Sequence, residues 1–281
     1  MLGILLAQYP IVLIHGFDSS AHYMSHMKQV IEKEMPQTTV INCEIGNGEW
    51  DSIFMEVAQQ VNLLAECITK HNVTSRGYIG VGHNQGAYLM RALLEQHNHE
   101  MAPMVRFISL SGPQGGFFCG VKSECQGQYL PKFVQRFMFY MQYKGFTQSN
   151  LGPSQYWRNP YKLKSYTKKA RSLPLLDNIR DYDPQRKANF MSVDKIVLFG
   201  GSTDEVITPW QSAFFGTWKA GTDAEVQLYH ERDEYKQDTF GLKSMVEQNR
   251  VFFEETELHH GDYKYNDDFI VNRLVPYLRT D

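Results

Sequence analysis

The chain has 281 residues, 42% apolar and 21% charged, the make-up of an ordinary globular protein long enough to bury one large core. A formal net charge of −3 gives no bulk electrostatic basis for holding nucleic acid or an anionic membrane surface. No apolar run approaches the roughly 20 residues of a membrane-spanning helix, and no Cys-x-x-Cys pair points to a structural zinc site.

In chain order, Met1-Leu2-Gly3-Ile4-Leu5-Leu6-Ala7-Gln8 reads as the apolar end of a truncated secretory leader, residues 1–8, that lacks its basic start. The alternative is that Ile4 to Ala7 extend the first strand. Tyr9 to Ile14 is a continuous apolar run of strand length, as for a strand buried on both faces. It ends in His15-Gly16-Phe17. A helix is predicted over about 22–34 and a strand over 39–43. Apolar residues at 53, 54, 57, 61, 64 and 68 then fall on one face of a single helix. Asn72-Val73-Thr74 is an N-glycosylation sequon. A strand over 77–81, a helix over 87–94 and a strand over 104–110 follow. Strand-like runs return at 195–199, 226–229 and 251–253, and a helix over 269–278 closes the chain.

Strands alternating with helices require crossover connections and a mostly parallel sheet. The alternation breaks between about 112 and 183. That stretch is expected to be a helical insertion over the C-terminal edge of the sheet, where α/β proteins place their ligands. Residues 9–281 are expected to form a single domain. Of the four cysteines, Cys119 and Cys125 lie close enough to close a small loop, while Cys43, in a strand, and Cys67, in a helix, read as free buried thiols.

The most informative segment is Gly82-His83-Asn84-Gln85-Gly86, between an apolar strand and a helix. This is the strand–turn–helix setting of the G-x-S-x-G nucleophile elbow, with Asn84 in the serine position. Two small residues flank a strained turn, as the elbow requires, and asparagine is a residue that tolerates such backbone. In hydrolases with this elbow the triad follows the order nucleophile, acid, histidine. Asp204 lies just beyond the strand at 195–199, where it could equally be a turn residue. His260 follows the last strand, with His259 as a competing base. Phe17 and Gln85 would supply the backbone N–H groups of an oxyanion hole.

The chain resembles the palmitoyl-protein thioesterases of the α/β-hydrolase superfamily over most of its length. The resemblance rests on residues 11–17, Glu44-Ile45-Gly46, the elbow and residues 109–116. It continues through Gln155-Tyr156-Trp157-Arg158-Asn159-Pro160, residues 203–209 and Phe240-Gly241-Leu242-Lys243-Ser244-Met245. It implies an α/β-hydrolase fold with a helical lid and cofactor-free removal of long-chain acyl groups from S-acylated cysteines. It also implies a lysosomal or secreted location. The partner would be an S-acylated protein or peptide, or a long-chain acyl thioester. The triad positions fall on Asn84, Asp204 and His260. Substrate contacts are expected at His15, Gln114, Phe137, Met138, Met141 and Trp157. The resemblance further implies a Cys119–Cys125 disulfide and a free Cys67. Because a carboxamide has no hydroxyl for a base to deprotonate, Asn84 predicts hydrolysis lost or severely impaired. A non-catalytic structural subunit or acyl-lipid-binding protein is the alternative.

Overall fold

The computed structural model describes residues 8–120 and 132–280. Its centre is a six-stranded sheet formed by β1 (Ile11–Ile14), β2 (Val40–Cys43), β3 (Tyr78–His83), β4 (Met104–Leu110), β5 (Lys195–Gly200) and a later strand, Val251–Glu255. The order is β2-β1-β3-β4-β5 with Val251–Glu255 on the far edge, and every pairing is parallel. Two short strands, β6 (Thr217–Trp218) and β7 (Val226–Gln227), form a separate antiparallel ribbon, so Val251–Glu255 is β8. The predicted strand at 226–229 is thus cut to two residues.

The period-2 alternation of strand side chains sorts the core into two layers. Val12 and Ile14 point to one face, with Tyr88, Leu89 and Leu93 of α4 (Gln85–His97). Ile11 and Leu13 point to the other, with Met27 and Ile31 of α1 (Ser25–Glu34) and the C-terminal helical residues Ile270 and Leu274. A sheet covered on both faces needs apolar residues at every position, which is why β1 and β3 carry no polar alternation.

The helix predicted over residues 53–68 is two helices, α2 (Glu49–Phe54) and α3 (Val57–Thr69). Met55 and Glu56 are extended between them. The break lets Ile53 and Phe54 leave the core layer and line a cavity, while Val57, Val61, Leu64 and Ile68 stay buried.

The expectation that Cys43 and Cys67 are free is corrected. They form a disulfide, with Cα atoms 6.0 Å apart. The apolar face of α3 packs over β2 and brings position 67 to the end of that strand, a proximity invisible at a separation of 24 residues. Cys119 is also disulfide-bonded. Cys125 and the leader-like residues 1–7 lie outside the described residues.

Between β4 and β5 the chain forms α5 (Lys132–Met141), α6 (Gly145–Asn150), α7 (Leu163–Lys169), α8 (Leu173–Leu176) and α9 (Pro184–Met191). A buried ion network ties this region to α4. Asp177, just after α8, accepts from Arg91 of α4 at 3.0 Å and from Arg232 at 2.6 Å, with Arg158 at 3.6 Å. Arg91 also donates to Glu95 at 2.7 Å, and its guanidinium lies 4.9 and 4.7 Å from the rings of Phe215 and Phe240.

Burial pushes the Glu95 carboxyl up to about 8, and Arg91, shared with Asp177, offsets only part of this. A group that holds its proton more tightly when folded stabilises most below its unfolded value and loses that contribution as pH rises through the folded value. Glu95 therefore contributes most below about pH 4.5 and least above about pH 8. Denaturant midpoints measured from pH 5 to pH 8.5 should fall with pH, and Glu95→Gln should flatten that slope. An unchanged slope would show that the carboxyl stays ionised against Arg91.

Candidate active site

β3 ends at His83 and α4 begins at Gln85, so Asn84 alone makes the turn, at φ 52° and ψ −125°. Backbone this sparsely populated persists only where its surroundings enforce it. A Cβ on Gly82 would lie 2.4 Å from the Ala87 nitrogen, and one on Gly86 would lie 2.3 Å from the His15 oxygen. Both positions must be glycine for the strand to turn directly into the helix. The Asn84 N–H donates to the Leu110 carbonyl at 3.0 Å, pinning the turn to the end of β4.

The parallel sheet gathers the other site residues at the same edge. Asp204 lies in the loop after β5 and His260 in the loop after β8. The His260 Nδ1–H donates to Asp204 Oδ2 at 2.9 Å. Asp204 Oδ1 accepts from the N–H groups of Val206 and Ile207 at 2.8 and 2.9 Å, and its Oδ2 also accepts from the Ser111 hydroxyl. Burial alone would raise the Asp204 carboxyl, but His260 and these hydrogen bonds outweigh it and hold the group below the usual aspartate range. It is a carboxylate. It fixes the imidazole tautomer with the proton on Nδ1, leaving the Nε2 lone pair facing the elbow.

The Asn84 Nδ2 lies 2.6 Å from His260 Nε2. With Nε2 an acceptor, the amide nitrogen is the donor. His83, beside the elbow, has its ring 4.7 Å from that of His260. Burial, then the neighbouring His260 and Lys264, hold the His83 imidazole well below the ordinary histidine range, so it is neutral. Its Nε2–H donates to the His260 carbonyl at 2.8 Å and anchors the loop that carries the base.

Asn84 and His260 open into a cavity of about 560 Å³. Its walls are mostly apolar, including Phe17, Phe54, Met138, Trp157 and Ile207. A mostly apolar slot with its polar groups converging on one place is the form of a site for a hydrophobic ligand.

The model of the family described as palmitoyl protein thioesterase matches residues 10–260. The chain belongs to the palmitoyl-protein thioesterase family. It is 29% identical over 285 residues to palmitoyl-protein thioesterase 3 of Dictyostelium discoideum, covering 99% of this chain and 95% of that one. Against the lysosomal thioesterase PPT2-B of Xenopus laevis it is 30% identical over 247 residues, covering 84% and 80%. Among solved structures, a lipase of Bacillus licheniformis superposes with a TM-score of 0.52 over 98% of this chain and 94% of that one. At 14% identity that likeness shows the α/β-hydrolase fold alone.

Within this thioesterase-family fold the residues singled out from sequence separate clearly. Asn84, His260 and Asp204 form one hydrogen-bonded line. His259 is turned outward, its Nδ1 3.3 Å from Glu205. Phe17 lines the cavity. Gln85 opens α4, so its N–H belongs to the first-turn donors that have no acceptor within the helix. The Gln85 side chain points away, donating to the Ser52 carbonyl at 2.6 Å and to Gln60 at 2.9 Å.

Of the expected substrate contacts, the structure brings Met138 and Trp157 to the cavity and not the other four. His15 is buried with its Nε2–H donating to Glu44 Oε1 at 2.6 Å, and Oε1 also accepts from the Ile45 N–H at 3.2 Å, so the pair braces the loop after β2. Gln114 is buried and donates to Ser109 at 3.1 Å. Phe137 is half-exposed, because the helical step beside Met138 rotates it toward solvent. Met141, at the end of α5, is outside the lining.

Sequence reasoning missed Ser111 and His83 as positioning groups. Ser111 has φ 47° directly after β4, which turns its hydroxyl onto Asp204. The only local signal was its place in the Ser-Leu-Ser-Gly run at the end of a strand.

Proposed function

We propose that this protein binds long-chain acyl thioesters of S-acylated cysteines in the cavity above the elbow, with hydrolysis blocked at Asn84. One contact carries the reading: the Asn84 amide hydrogen-bonded to His260 Nε2. In a serine hydrolase that nitrogen takes the nucleophile's proton. Here the carboxamide offers no ionisable hydroxyl, and it also occupies the lone pair that would otherwise activate a water.

Ser111 does not substitute. Its oxygen lies 3.3 Å from Nδ1, on the carboxylate side of the ring, and its proton is committed to Asp204. The positioned imidazole, the buried carboxylate and the open apolar cavity support acyl binding over a purely structural subunit, in which the cavity would have no use. The lysosomal names of several relatives favour the same compartment for this protein.

A fluorescent peptide carrying an S-palmitoyl cysteine should therefore bind and be recovered intact, as followed by anisotropy and by mass analysis of the bound peptide. Free palmitate released at a rate above the uncatalysed one would overturn the block at Asn84. Failure of both the palmitoyl thioester and its thioether analogue to bind would leave only the structural reading.

A further inference from the structure

The net charge of −3 averages over a strong asymmetry. Residues 132–176 contain nine of the chain's 28 basic residues and none of its 31 acidic ones. The rest of the chain carries 19 basic residues against 31 acidic ones. This basic stretch forms one wall of the cavity, to which it contributes Met138, Leu151 and Trp157.

Some of these cations are engaged within the fold. Arg158 belongs to the buried network. Lys162 donates to the Phe139 carbonyl at 2.8 Å and lies 5.2 Å from the Tyr140 ring. Arg171 pairs with Glu56 of the segment joining α2 and α3 at 3.2 Å. Lys162 and Arg171 bracket α7, which therefore runs across the insertion from α5 to the neighbourhood of α2. Arg136, Lys144, Lys164, Lys168 and Lys169 remain exposed.

Large exposed aromatic side chains alternate with these cations along the chain. On α5, Phe137 and Tyr140 are 50% and 62% exposed, on the helix whose Met138 is buried in the cavity wall. On α6, two residues after Lys144, Phe146 is 80% exposed. Across the cavity, Trp50 is 70% exposed and stacks at 5.4 Å on Phe54, which lines the cavity.

We propose that the helical insertion docks on an anionic lipid bilayer and seats the cavity mouth at the membrane interface. The cations supply attraction to anionic headgroups, and the aromatic rings supply apolar area to immerse among them. An acidic protein partner would pair the charges but would not by itself account for three protruding rings interleaved with them. A docked mouth lets an acyl chain pass from bilayer to cavity without crossing water, which would otherwise cost hydrophobic free energy for each methylene exposed. What enters the cavity rests on the acyl-binding reading; adhesion to vesicles free of acyl thioester does not.

The test is co-sedimentation of the full chain with vesicles of phosphatidylcholine alone or mixed equally with phosphatidylglycerol, at low and high salt. Binding is expected to the anionic vesicles and to fall with salt. The Lys164→Glu, Lys168→Glu, Lys169→Glu protein should bind at least about a hundredfold more weakly, given the attraction lost per basic residue near such a surface and the repulsion each glutamate adds. The Tyr140→Ser, Phe146→Ser protein should bind about tenfold more weakly, from lost immersed apolar area. Thermal melting establishes that these surface variants are folded. Equal binding to neutral vesicles with no effect of charge reversal would overturn the proposal. So would no binding to either vesicle, including a case where polyglutamate or a second copy of the chain binds instead. The S-palmitoyl peptide assay without vesicles reports separately on the cavity.

Discussion

Asn84→Ser should convert this protein into a working thioesterase. Serine at the elbow would place a hydroxyl beside His260 Nε2, the atom that now accepts from the asparagine amide at 2.6 Å. The imidazole is already held in the required tautomer by Asp204 and its loop is anchored by His83. Gln85 opens α4, so its backbone N–H has no acceptor within the helix and would be free to donate to an oxyanion. Proton transfer from serine to Nε2, attack on the thioester carbonyl and departure of the cysteine thiolate, protonated by the imidazolium, would give an acyl-enzyme. Water activated by the same imidazole would then release the fatty acid. Removing the nucleophile of a serine hydrolase costs on the order of 10⁶ in kcat, so restoring it should raise palmitoyl-thioester hydrolysis by at least about 10³-fold. A fluorophosphonate probe should label the Asn84→Ser protein at position 84 and leave the Asn84→Ala protein unlabelled. Should the serine protein fold yet stay inert toward thioesters and esters alike, the site has lost more than its nucleophile, and the non-catalytic reading takes over.

The second large effect is on stability. Asp177 is fully buried and faces Arg91, Arg158 and Arg232, all within 3.6 Å. Replacing it with alanine leaves three guanidinium groups around a void, with Glu234 the nearby counter-charge. A buried pair contributes little net stability compared with an apolar substitute, but removing one partner leaves uncompensated charge and costs about 3–5 kcal/mol. At roughly 2–4 °C per kcal/mol for a domain of this size, Asp177→Ala should lower Tm by about 6–20 °C. Asp177→Asn keeps an acceptor and should fall between the alanine protein and the parent. Because Asp177 follows α8 and Arg91 lies on the helix that begins at the elbow, the loss should also loosen the insertion over the cavity. Proteolysis within residues 132–176 would report it. A Tm within a degree of the parent would mean that the network relaxes or takes up water at little cost.

The architecture was largely legible in the sequence because its signals are local. Continuous apolar strands, amphipathic helices between them and two glycines around Asn84 each act within a few residues. Together they dictate a parallel sheet with a sharp turn at the end of β3. The order of Asn84, Asp204 and His260 along the chain was legible as a motif for the same reason. Other features depended on which distant elements the sheet order makes neighbours. That order put α3 over β2 and joined Cys43 to Cys67. It also set the β4 end against the β5 loop, so that Ser111 meets Asp204. The choice of His260 over His259 followed from how its loop is held by His83. Within the insertion, Phe137, Met138 and Met141 were all expected to contact substrate; tertiary packing turned Met138 toward the cavity and left Phe137 in solvent. Sequence specifies what each segment can bury, whereas the side chains that meet across segments are decided only when the sheet brings its strand ends to one edge.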